Sequence, residues 1–84
     1  MKDIRVGTWY RAKRPQMIDT GLPNKLLNDR KVLWYDADQV QYIGPVIRPG
    51  QAPKVIPRPQ FEKWADRILR PNEVKALEEI WEYK

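Results

Sequence analysis

The chain has 84 residues, a net charge of +5 and a sequence isoelectric point near 9.7, and it contains no cysteine, histidine or serine. That length makes one domain, 1–84, with a small core and no disulfide to staple it. The missing residue types remove the usual nucleophile–base pairs and the soft metal ligands together, so the expectation is no enzyme, no metal site and no cofactor.

The charge is unevenly spread. Residues 1–70 hold 14 Lys and Arg against 7 Asp and Glu, whereas residues 71–84 hold 2 against 4. A basic body with an acidic tail suits an anionic partner, or a tail that folds back on the body. Four tryptophans, four tyrosines and one phenylalanine supply large buried areas from few positions. No run resembles a signal peptide or reaches membrane-spanning length, so the expected location is cytoplasmic, with no membrane partner.

Residues 4–13 alternate. Ile4, Val6, Thr8, Tyr10 and Ala12 fall on one side, and Arg5, Gly7, Trp9, Arg11 and Lys13 on the other. This predicts a strand with a core face and a basic outer face. Arg14-Pro15 closes it, because proline cannot donate to the sheet ladder. Residues 15–29 show no period, and Asp19-Thr20-Gly21 and Pro23-Asn24 are turn signals, so a long, partly ordered loop is expected, anchored by Leu26 and Leu27.

Two β-rich runs then flank Asp36-Ala37-Asp38. Gln39 and Gln41 share one face of the second run, leaving Val40 and Tyr42 on the other. A three-residue loop would pair Trp34 with Val40 and Val32 with Tyr42, giving a core face of four large apolar groups. Asp36 and Asp38 read as turn formers bonding their own backbone, in preference to a carboxylate site.

In the segment that follows, Pro45, Pro49, Pro53, Pro57 and Pro59 are all odd-numbered, which sacrifices donors on one side of an extended chain and fits edge strands. That reading outweighs a polyproline ligand, whose three-residue period is not followed. Arg48-Pro49-Gly50-Gln51 suits a type II turn between strands at 44–48 and 53–57. Phe61, Trp64, Ala65, Ile68 and Leu69 then recur at helical spacing, predicting a helix over 61–69 with Arg67 and Arg70 in its last turn, ended by Pro71. A second helix is expected from an Asn72 cap to Tyr83, with Val74, Leu77 and Trp81 in one stripe and Ala76, Ile80 and Tyr83 beside it.

The predicted class is α+β: a small antiparallel, barrel-like sheet of about four strands over residues 4–57, then a helical pair over 59–83. This element order resembles the Src-homology-3-like small barrels, in which a long loop separates the first two strands and a tight hairpin follows. The pattern Val32-x-Trp34, Val40-x-Tyr42 and Phe61-x-x-Trp64-Ala65 also resembles short uncharacterised proteins of bacterial phages and integrative elements. That resemblance implies a phage or mobile-element origin and brings no activity with it.

Two binding functions follow. Arg5, Trp9, Arg11, Lys13 and Arg14 put cations around an aromatic ring, which is what nucleic-acid binding needs: cations for phosphates and a ring to stack on bases. For Trp9, burial beneath the C-terminal helices carries more weight, since small domains rarely leave a tryptophan bare. The alternative is a protein-interaction module or homodimer that uses surplus apolar surface on the acidic last helix, at Ile80, Trp81 and Tyr83.

Overall fold

The computed structural model describes residues 4–18, 26–47 and 50–81. Strands β1 (Trp9–Ala12), β4 (Arg30–Tyr35), β5 (Gln39–Ile43), β6 (Lys54–Pro57) and β7 (Ala65–Ile68) form one antiparallel sheet in the order β6-β5-β4-β1-β7. A second, two-stranded sheet joins β2 (Met17–Ile18) to β3 (Leu26–Leu27). Helix α1 (Arg58–Trp64) precedes β7, and α2 (Pro71–Ile80) follows it. The five-stranded sheet is open, with β6 and β7 as its edges, so the expected barrel does not close.

Neighbouring residues of β1 face opposite ways, and both sides of the sheet are covered. Tyr10 joins Ile4, Val32, Val40, Phe61 and Ala65 in a first core capped by α1. Trp9 joins Leu26, Leu69 and Leu77 in a second, beneath α2, where Val74 and Trp81 complete the packing. The side expected to be solvent-facing is therefore an interior, and Trp9 is only 2% exposed. Its cover comes from α2 and Leu69, whereas Phe61 and Trp64 serve the other face. The strand is also shorter than expected: residues 6–7 turn, Gly7 adopts φ 79°, and Val6 is exposed.

The central hairpin forms with a different register. Val32 opposes Tyr42 as expected, but a bulge between Val32 and Trp34 pairs Trp34 with Gln41 and Tyr35 with Val40. One extra residue on β4 exchanges faces, so Tyr35 packs on the first core while Trp34 is 46% exposed. The turn is closed by Asp36, whose Oδ1 accepts the N–H groups of Asp38 at 2.7 Å and Gln39 at 2.8 Å. This side-chain turn removes the need for a positive φ, and among the described residues only Gly7 and Gly50 have one.

Further departures have local causes. The stretch expected as a long loop contains the β2–β3 pair, with Leu26 buried as its anchor, while the turn signals at 19–25 lie outside the described residues. Residues 44–47 turn, closed by the Ile47 N–H on the Gly44 carbonyl, where a strand was expected. Arg48 and Pro49 of the expected type II turn lie outside the described residues. The edge reading of the prolines applies to β6: the Arg58 N–H donates inward to Asp38 O at 2.8 Å, so amides of even-numbered residues face β5 and the donor-less Pro57 faces outward.

The helix expected over 61–69 has Pro59 in its first turn, as that residue suits, and stops at Trp64; Ala65 is already extended at φ −77°, ψ 133°. Residues 65–68 then pair with β1, so Arg67 lies on a strand. The open edge of β1 offers those residues a hydrogen-bond ladder, irregular only between Arg11 and Ala12, which outweighs one further helical turn. Helix α2 begins at Pro71 behind Arg70, two residues before the position an Asn72 cap implied, and the Glu73 carboxylate accepts the Arg70 N–H at 2.9 Å.

A candidate nucleic-acid interface around Trp64

The five residues expected to form a nucleic-acid face do not form one. Trp9 is covered by α2 and meets Trp81 edge-on, with ring centroids 5.4 Å apart. Arg11 makes a forked pair with Asp29, at 3.1 and 3.2 Å, and reaches Glu73 at 2.8 Å. Glu73 in turn accepts two hydrogen bonds from Arg67, at 2.7 and 2.9 Å. The Arg67 guanidinium and the Arg70 N–H hold the Glu73 carboxyl down at about 2. Asp29 is buried, so this network ties α2 to the sheet, and Arg11 is spent on the interior. Arg5 is exposed before β1, its N–H donating to the Tyr10 hydroxyl at 2.9 Å, while Lys13 and Arg14 are exposed at the strand's far end.

Lys13 and Arg14 do have cationic company, gathered by Trp64. The Lys13 N–H donates to the Trp64 carbonyl at 2.9 Å, which brings the end of β1 to the C-terminus of α1. Lys63, exposed, precedes Trp64 in the last turn of the helix. Beneath the indole lies Arg30, whose guanidinium carbon is 4.1 Å from the centre of the Trp64 ring and 4.4 Å from that of Tyr42. Tyr42 is opposite Lys54 across the β5–β6 ladder. Arg30 thus lies against the half-buried Trp64 and the buried Tyr42, with Lys13 and Lys63 adjacent to Trp64 along the backbone and Lys54 opposite Tyr42 on the ladder. No carboxylate of the described residues pairs with any of these cations, whereas Arg11, Lys31, Arg58 and Arg67 each have one.

Arg30 is the unusual member. Burial pushes its pKa down from the ordinary arginine value, with Tyr42 opposing that shift. Its Nε is buried with no hydrogen-bond acceptor, as is the Trp64 Nε1 beside it. A buried donor without an acceptor costs about 1–3 kcal/mol, and a cation–π contact with a desolvated guanidinium returns about 2 kcal/mol. Sequence reasoning missed Arg30, Lys54, Lys63 and Trp64 as site residues because only Lys63 and Trp64 are neighbours in the chain and nothing local links them to Arg30 or Lys54. The fold alone brings β4 under the end of α1.

On the alternative surface, Trp81 is half-buried against Trp9, Ile80 and Ala76 are exposed, and Tyr83 lies outside the described residues. Ile80, Ala76, Leu26 and Leu27 border a cleft of about 240 Å³ with the Arg11–Asp29–Glu73 network. This is below the roughly 300–1,000 Å³ of ordinary small-molecule sites. Among the described residues no three His, Cys, Asp or Glu side chains converge as metal ligands, and no helix is long and apolar enough to cross a membrane. No protein-family model, curated protein or solved structure matches the chain.

Proposed function

We propose that this chain is a small non-enzymatic protein that binds nucleic acid through the cationic surface around Trp64. One observation carries the reading: Arg30 lies against Trp64 and Tyr42, Lys13, Lys63 and Lys54 adjoin those two residues on the backbone, and none of the four cations has a carboxylate partner among the described residues. Unpaired cations neutralise phosphates and release counterions, and the half-buried Trp64 ring, the one ring of the pair not in the core, suits a flexible strand better than a smooth duplex. The basic face first expected on β1 is replaced by this one, with Lys13 common to both. A phage or mobile-element origin belongs to the same proposal and rests on the residue pattern alone. Titration of labelled single-stranded and duplex oligonucleotides at low and moderate salt tests it. Binding that weakens steeply with salt is expected, and no binding to either at low ionic strength would end the reading.

A protein-interaction module is the second reading. It is favoured by Ile80 and Ala76, which stay exposed on α2 after Val74, Leu77 and Trp81 have been used for packing. In that case an Ile80→Glu variant loses its partner or its self-association and keeps its fold, and Lys13→Ala changes neither.

A further inference from the structure

We infer that Arg30 is the seat for one phosphate group, its guanidinium presented against the Trp64 and Tyr42 rings as a fixed two-pronged donor. The inference deepens the nucleic-acid reading and takes from it the identity of the phosphate's owner. Four features lead to it. The guanidinium packs on both rings, at 4.1 and 4.4 Å, so little side-chain freedom remains to be lost on binding. The Nε–H is buried without an acceptor, while the two terminal nitrogens carry no hydrogen bond among the described residues and are not sealed from water. No carboxylate of the described residues neutralises the group. Lys13 and Lys63, backbone neighbours of Trp64, and Lys54, the ladder partner of Tyr42, add positive potential to this part of the surface.

Packing alone gives a poor account of this arginine. An apolar side chain would fill the slot against the two rings without desolvating a cation. A planar fork with spare donors, held still in a cationic setting, matches the geometry of a phosphate's oxygens. A lysine there would keep the charge and lose both the fork and the stacking.

The test follows the Arg30 Nε–H and Trp64 Nε1–H resonances of ¹⁵N-labelled protein during addition of inorganic phosphate, with chloride at matched ionic strength as the control. Saturable shifts at both groups with phosphate, absent with chloride and absent at the carboxylate-paired Arg11, are expected. Arg30→Lys should abolish the phosphate shift at Trp64 and weaken binding of a single-stranded oligonucleotide roughly 10- to 100-fold. If that variant fails to fold, the phosphate titration of the parent protein decides alone. Phosphate that leaves both groups unmoved overturns the seat; oligonucleotide binding that persists then leaves the wider surface standing. Saturable phosphate binding without any oligonucleotide binding keeps the seat and removes the nucleic-acid reading.

Discussion

Arg11 and Arg67 lie directly opposite each other across the β1–β7 ladder, and the single carboxylate of Glu73 accepts hydrogen bonds from both. Like charges at opposed strand positions repel, so the sheet edge and the docking of α2 depend on one another. With its carboxyl held at about 2 against an ordinary 4.5, Glu73 contributes stability that is complete above about pH 4.5 and is lost as the pH falls through 2. The near-UV circular dichroism of the Trp9–Trp81 pair should fade over that window. Arg67→Gln should move the fading to higher pH; a signal indifferent to that substitution would separate Glu73 from the docking of α2.

Arg11→Ala should destabilise the fold by up to about 3–5 kcal/mol, because it strands the buried Asp29 charge. The same change should leave the salt dependence of oligonucleotide binding as it was, provided the variant is measured while folded. A smaller salt slope in the folded variant would return Arg11 to the binding surface.

Trp9 is buried beneath the C-terminal helix, the reading that carried more weight, whereas Trp34, expected in the core, is not. Trp9→Ala removes a ring 2% exposed and should cost about 3–5 kcal/mol. Trp34→Ala removes one that is 46% exposed and should cost far less. Denaturant melts of both variants check the order, and equal losses would contradict the bulged register.

Much of the fold was legible because its signals are local. The alternation of Val40 and Tyr42 and the parity of Pro53 and Pro57 are written in the chain, and so is the Val74, Leu77, Trp81 stripe. Errors arose where a distant partner decides. Nothing near Leu33 announces an extra residue, and the bulge is visible only once β5 is paired. Phe61, Trp64 and Ala65 fit a helix equally well whether or not it continues, and the free edge of β1 ends it. The candidate site was the least legible part, since Arg30 and Trp64 meet only in the folded chain.

Gly44 lies where the chain leaves β5, and a Cβ there would overlap the Asp29 carbonyl oxygen. The Asp29 carbonyl is backbone and a Cβ is fixed directly to the Gly44 backbone, so neither can swing away. Gly44→Ala should therefore shift the β5 end and lower the melting temperature by several degrees, since about 1 kcal/mol moves it by roughly 4–8 °C in a domain of this size. An unchanged melting temperature would show that the two strand ends separate freely.

The most direct measurement of the central proposal is the salt dependence of single-stranded oligonucleotide binding by the parent protein, by Lys13→Ala with Lys63→Ala, and by Arg5→Ala with Lys75→Ala. Both double variants remove two exposed charges, and only the first pair flanks Trp64. A surface centred on Trp64 predicts that the first pair lowers the log–log slope by about 1.4, roughly 0.7 for each lost phosphate contact, and that the second leaves it near the parent value. Equal loss from both pairs would reduce the binding to diffuse net charge, and no loss from the first would contradict the account.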